Sequence, residues 1–326
     1  MRRLALLLCL SSGLLCAAGP IGNLSAAGAG HGTAQQLFMP APSLGDPHRV
    51  VRVYLPPSYF TPEAAHRRYP VVYMLHGWPG SENNWLALGK AAETADSLIA
   101  RGAIPEVILL FPSGKGGFLG RSLYLDSYDG SVRMEDYIVH DLVQWTDSTF
   151  RTEPDPRDRA IIGLSDGGSA ALNLTFRHPD VFGACGGHSG EYDLHKEFGL
   201  GKMIGPEPGA SRLLTENSPA DYVAGIVPEL RHLVIYFDCG LDDDPIEDNR
   251  ALHRKLETLG VPHAYREFPG SHAWSYWRTH LRDSLIAVTV PVRGEGAPAA
   301  VETTADTAHL APGSLQSPDK PSRRAP

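Results

Sequence analysis

Apolar and polar positions along this chain alternate between two periods. RVVRVYLP at 49–56 alternates as a half-buried strand does and stops at Pro56 and Pro57. VVYMLHG at 71–77 is a continuous apolar run, as expected of a strand buried on both faces. A helical stretch at 91–101 closes at Gly102, and a further apolar strand, VILLFP, occupies 107–112. Between 135 and 150, Ile138, Leu142 and Trp145 recur at helical spacing and predict a helix with one inward face. Strands then follow around 160–162, in FGACGGHSG and in HLVIYFDCG at 232–240, with helices between them. Alternation of this kind predicts a mostly parallel sheet with helices on both faces, whose ligands bind beyond the carboxyl ends of the strands.

One such end carries chemistry. RAIIGLSDGG at 159–168 reads as strand, tight turn and helix, with Gly163, Ser165 and Gly167 in a Gly-x-Ser-x-Gly turn. Glycines on both sides permit a sharp turn that holds the Ser165 hydroxyl at the sheet edge, above a helix N-terminus. A hydroxyl becomes a nucleophile when a base takes its proton and a carboxylate orients the base. Fourteen histidines compete for the first role. His178 ends a helix, His253 lies on one, and His31 precedes the structured part of the chain. His272 follows the strand-like HAYREF and the turn PGS, which puts it in a loop at the expected edge. The acid falls in DCGLDDDP: Asp238 belongs to a strand end and Asp244 reads as a helix cap before Pro245. Asp242 and Asp243 remain, with Asp243 preferred. Backbone N–H groups of Asp166 and of Trp78, in LHGWPG, are positioned as oxyanion donors, and His76 reads as a residue that shapes that loop. Tyr124 and Trp274 are candidate substrate contacts, along with Trp85 and Trp277. Loops near 114–129 and 191–231 are expected to shape the pocket.

Nothing in this pattern calls for a cofactor. The acidic cluster from Asp242 to Asp248 lacks EF-hand spacing, and no Cys/His spacing suggests zinc. SGKGG at 113–117 has Gly116 where a phosphate loop needs Ser or Thr, and the glycosylation triplet at Asn173 lies inside the helix after the serine. A net charge of -8 argues against nucleic acid or an anionic membrane as partner. Met1 to Ala18, with Arg2 and Arg3 before an apolar run too short to span a bilayer, reads as a secretory signal, cleaved after Ala18 or as late as Ala27. The mature protein is then secreted or periplasmic, with no membrane segment. Its remaining cysteines, Cys185 and Cys239, sit in apolar strands and read as buried free thiols rather than a disulfide. The sequence divides into the signal, a flexible lead-in at 19–44 rich in Ala, Gly and Pro, a catalytic domain at 45–290, and a disordered Pro/Ala-rich tail at 291–326.

Taken together, LHGWPGSENNW, SYDGSVRMEDYIVHDLVQWTDSTFRT, GLSDGGSAALNLTFRHPDVF, DCGLDDD and GSHAWSYW resemble the putative esterase family of α/β hydrolases. That family includes feruloyl and acetyl-xylan esterases, S-formylglutathione hydrolase, enterobactin esterases and mycolyltransferases. The resemblance runs from about His48 to Val290 and implies an α/β-hydrolase fold. Its serine, CGxxD acid and GxH histidine fall on Ser165, Asp243 and His272, and its oxyanion positions on Trp78 and Asp166. Many members carry Met after the nucleophile, where this chain has Asp166. The implied activity is hydrolysis of carboxylic esters of small molecules or carbohydrates through an acyl-enzyme. Acyl transfer on the same triad and a non-catalytic binding domain are the alternatives.

Overall fold

The computed structural model describes residues 30–117, 120–197 and 200–289; the expected signal and tail lie outside them. Eight strands form one sheet: β1 (Thr33–Ala41), β2 (Asp46–Leu55), β3 (Val71–Leu75), β4 (Ile108–Pro112), β5 (Arg159–Leu164), β6 (Ala184–His188), β7 (Val234–Gly240) and β8 (Ala264–Phe268). Their order is β1-β2-β4-β3-β5-β6-β7-β8. β2 pairs antiparallel with β1 and β4, and every other neighbouring pair is parallel.

Both faces of the central strands are covered, which is why those strands read as unbroken apolar runs. Along β3, Val71, Tyr73 and Leu75 enter one core with Tyr137, Ile138 and Leu142 of the 134–149 helix, and with Ala170 and Ala171. Val72 and Met74 point the other way, onto Ala91, Ala95 and Leu98 of the helix Ala91–Ala100 and Leu281 and Leu285 of the helix Trp274–Thr289. The 134–149 helix matches the predicted 135–150 stretch, but its middle turns, Tyr137–Leu142, are wound as a π-helix. Cys185 and Cys239 are buried and unpaired.

Residues 33–44 correct the flexible lead-in expected at 19–44. β1 zips against β2 from Thr33 opposite Leu55 to Met39 opposite Arg49, with Leu37, Met39 and Ala41 facing the core. Pro40 sits where the register shifts between Met39 and Ala41, a position where an edge strand tolerates a missing donor. The segment is held further by Asp96, whose Oδ1 accepts from the Gly32 N–H at 2.8 Å and the Tyr54 hydroxyl at 2.6 Å. Asp244 is a second correction. It is exposed, and the helix Ile246–Thr258 starts after Pro245 with its first N–H donating to the Asp243 carbonyl at 3.2 Å.

The order of the strands fixes where a ligand binds. The chain leaves β3 toward β4 on one side, while β5 lies on the other, so a crevice opens beyond their carboxyl ends. Leu75 pairs with Gly163, which puts the loop after β3 and the turn after β5 at the same height.

Gly163 is packed so closely under that turn that a Cβ there would lie 1.9 Å from the Gly167 carbonyl oxygen. Gly163→Ala is therefore expected to destabilise the protein by about 3 kcal/mol, read from urea unfolding. A second prediction concerns Asp126, whose Oδ1 accepts the N–H groups of Glu135 and Asp136 at 2.8 and 3.3 Å. Burial, and then the Asp136 charge, push its carboxyl up to about 6. With the folded value above the unfolded one, its stabilising contribution is complete below the ordinary carboxylate value of 3.8 and lost as pH rises through about 6. Unfolding curves at about pH 4 and about pH 7 should show wild type losing stability relative to Asp126→Asn as pH rises.

Candidate active site

Ser165 sits at the crossing from β5 into the helix Asp166–Arg177 with φ 53° and ψ −127°, a strained backbone for any residue with a side chain. Hydrogen bonds on both sides hold it there. Its N–H donates to the His188 carbonyl at 2.9 Å, and its own carbonyl accepts from Gly168 and Ser169 at 2.8 and 3.0 Å. Gly167 makes the turn fit, since a Cβ there would come within 2.5 Å of the Leu75 carbonyl.

The structure brings three of the predicted residues together. Ser165 Oγ lies 2.9 Å from His272 Nε2, and His272 Nδ1 lies 2.8 Å from Asp243 Oδ1. A carboxylate only accepts, so Nδ1 carries the proton and Nε2 is free to accept from the serine. Asp243 is fully buried, whereas the His272 side chain is 40% exposed. Asp242 is exposed, and its N–H donates to the Gly270 carbonyl at 2.9 Å. The acid and histidine loops touch: a Cβ on Gly240 would lie 2.3 Å from the Gly270 carbonyl oxygen. The Trp277 ring meets the His272 ring edge-on at 4.9 Å, and its indole N–H donates to Ser189 Oγ at 3.0 Å.

The crevice over Ser165 has a volume of about 240 Å³ and is lined by Gly77, Trp78, Asn84, Leu164, His272 and Trp274, with Trp277. Trp274 packs edge-on between Trp85 and Trp277, with ring centroids 5.6 and 5.3 Å apart. Trp85 lies beneath, its indole N–H donating to the Leu75 carbonyl at 2.9 Å. Tyr124 does not reach the crevice, a correction to its reading as a substrate contact. It is buried, its hydroxyl donates to the His76 carbonyl at 2.9 Å, and its ring occupies the space a side chain on Gly114 would need. Among the described residues, the loops at 114–129 and 191–231 likewise contribute nothing to the lining.

His76 is neutral by its contacts. Its Nε2 accepts the Gly114 N–H at 2.9 Å and its Nδ1 donates to the Gly77 carbonyl at 2.8 Å, while burial pushes the imidazole below its ordinary value. It ties the loop after β3 to the loop after β4. Gly77 lets that loop approach the nucleophile, because a Cβ there would be 2.8 Å from Ser165 Cβ.

Two features escaped sequence reasoning. Asp166 is not an open negative charge: Arg121 grips it with a two-pronged fork, Nε to Oδ2 at 2.8 Å and Nη2 to Oδ1 at 2.7 Å. Beneath the crevice lies a second serine, histidine and aspartate set. His188 reaches Asp238 Oδ1 at 3.0 Å and Ser284 Oγ at 2.9 Å, and Asp238 also accepts from Tyr236 and Tyr276. Burial, with the Asp238 charge, pushes both tyrosines up. All three members of this set are fully buried, so it braces the ends of β6 and β7 rather than meeting a substrate.

Likeness to known proteins agrees with this architecture. Residues 42–288 match the family described as Putative esterase. The endo-1,4-beta-xylanase/feruloyl esterase of Xylanibacter ruminicola is 34% identical over 166 residues, 49% of this chain, which spans 22% of that longer protein. The acetyl esterase of Caldicellulosiruptor saccharolyticus is 24% identical over 258 residues, 72% of this chain and 89% of that one. Among solved structures, a ferulic acid esterase superposes with a TM-score of 0.70 at 27% identity, covering 79% of this chain and 98% of its own. The S-formylglutathione hydrolase of Agrobacterium tumefaciens has the same fold, with a TM-score of 0.65 at 19% identity and coverage of 82% and 98%. With the family match running from residue 42 to 288 on a mostly parallel sheet, the chain belongs to the Putative esterase family of carboxylic ester hydrolases and has the α/β-hydrolase fold.

Proposed function

We propose that this protein is a secreted serine carboxylesterase acting through an acyl-enzyme. The observation that carries the reading is the unbroken chain Ser165 Oγ, His272, Asp243, at 2.9 and 2.8 Å, opening into the crevice at the strand ends. Ser165 Oγ attacks the ester carbonyl as its proton passes to His272 Nε2. Asp243 holds the Nδ1 proton and offsets the imidazolium charge. The tetrahedral oxyanion is met by the backbone N–H groups of Trp78 and Asp166. As the intermediate collapses, His272 returns the proton to the departing alcohol. Water, activated by the same imidazole, then attacks the acyl-enzyme and releases the acid.

Size and lining support a small or aromatic acyl group. A crevice of about 240 Å³ walled by Trp274 and Trp277 suits a flat ring or an acetyl group, in keeping with relatives named feruloyl and acetyl esterase. Trp78, which lines the same crevice, is 41% exposed. The apolar run after Arg2 and Arg3 supports export, and among the described residues no helix is long and apolar enough to cross a membrane. Esters of extracellular carbohydrate polymers are thus the proposed substrates.

Ser165→Ala should lower turnover of p-nitrophenyl acetate by about 10⁴-fold or more and abolish labelling by a fluorophosphonate probe, while the protein stays folded. Retained turnover in that variant would overturn the reading. Asp243→Asn should lose about 10⁴-fold in kcat and Asp242→Asn should stay within about twofold of wild type. The opposite ranking in steady-state assays would move the acid to Asp242.

A further inference from the structure

Arg121 stands on the loop between β4 and the 134–149 helix, and its side chain is only 11% exposed. Among the described residues its guanidinium meets three side chains at once. The fork to Asp166 has already been described. Nη2 also reaches Glu197 Oε2 at 2.6 Å, and the guanidinium carbon lies 5.6 Å over the Trp78 ring. Asp166 and Glu197 are buried as deeply, with side chains 9% and 5% exposed. Two buried carboxylates beside one another repel unless a cation is shared between them. Burial pushes the Glu197 carboxyl up, with Asp166 adding to the rise and Arg121 opposing it.

What the guanidinium joins is the informative part. Asp166 follows the nucleophile and carries one proposed oxyanion donor, and Trp78 carries the other. These two segments leave different strands, β5 and β3, and Arg121 touches the side chains of both. We infer that Arg121 is a positioning residue for oxyanion stabilisation, fixing the Trp78 and Asp166 backbone segments relative to each other through one rigid guanidinium. Arginine suits this task because its planar fork matches a carboxylate in two bonds and its face stacks on an aromatic ring, neither of which lysine reproduces. Oxyanion donors act only when held about 2.7–3.1 Å from the developing charge, so a small shift of either segment lowers the rate without weakening substrate binding.

The inference rests on the esterase reading above, and its test separates the two. Arg121→Lys keeps the charge but loses the fork and the stack. Its kcat on p-nitrophenyl acetate should fall about 10–100-fold, with KM within about threefold of wild type. Affinity for a trifluoromethyl ketone, which mimics the tetrahedral state, should fall by the same factor as kcat. The triple variant Arg121→Met, Asp166→Asn, Glu197→Gln neutralises these three buried ions together, which keeps the test open if Arg121→Lys fails to fold. It should show the same loss of kcat and analogue affinity. Wild-type kcat and analogue affinity in either folded variant would overturn the role of Arg121. Such a result alongside an inactive Ser165→Ala leaves the esterase reading intact, whereas an active Ser165→Ala removes both.

Discussion

Everything at the catalytic edge depends on one backbone crossing. β5 turns into the helix Asp166–Arg177 at Ser165 with a positive φ, and no local preference of serine supports that conformation. It persists because its surroundings leave no alternative: Gly163 and Gly167 have no side chains to collide, and the Ser165 N–H is bound to the His188 carbonyl. The sheet supplies the rest. β3 and β6 flank β5 in parallel register, so the crossing is clamped from both sides by main-chain hydrogen bonds rather than by any single side chain.

Buried charge gathers at the same edge. Asp243 with His272, Asp238 with His188, and Asp166 with Arg121 and Glu197 all lie at or beside the carboxyl ends of β5, β6 and β7. Asp243 and Asp238 each meet an imidazole, and Asp166 and Glu197 share the Arg121 guanidinium, which is the condition under which charge survives burial. Of these three groups, the Asp243 pair reaches solvent through its histidine, which lines the crevice over Ser165. The two Ser-His-Asp sets in one fold differ in access: the Ser165 set opens on the crevice and the Ser284 set is fully buried.

Much of this was legible in the sequence because β3, β5 and β7 are apolar runs and because Ser165, Asp243 and His272 each stand beside a glycine-marked turn. β1 was not legible: Gln35, Gln36 and Pro40 interrupt its pattern, and its pairing with β2 is what orders it. Tyr124 was misplaced because an aromatic in an aperiodic loop gives no sign of which way it faces. Arg121 itself carries no local signal, since its partners Asp166 and Glu197 lie far along the chain and a long-range ion pair has no local signature. Asp166 was the one clue, a carboxylate in a buried turn with no partner nearby in sequence.

The strand order carries a broader consequence. The two proposed oxyanion donors rise from adjacent parallel strands, β3 and β5, whose spacing is set by main-chain hydrogen bonding at about 4.8 Å. The sheet acts as a gauge block for the reaction: its dimension belongs to the peptide backbone, which every sequence shares. Loops such as 114–129 and 191–231 lie outside that gauge. They meet it through Arg121, which grips Asp166, and through Tyr124, which bonds the His76 carbonyl, so a change elsewhere in those loops leaves the ruler intact while a change at either contact reaches it.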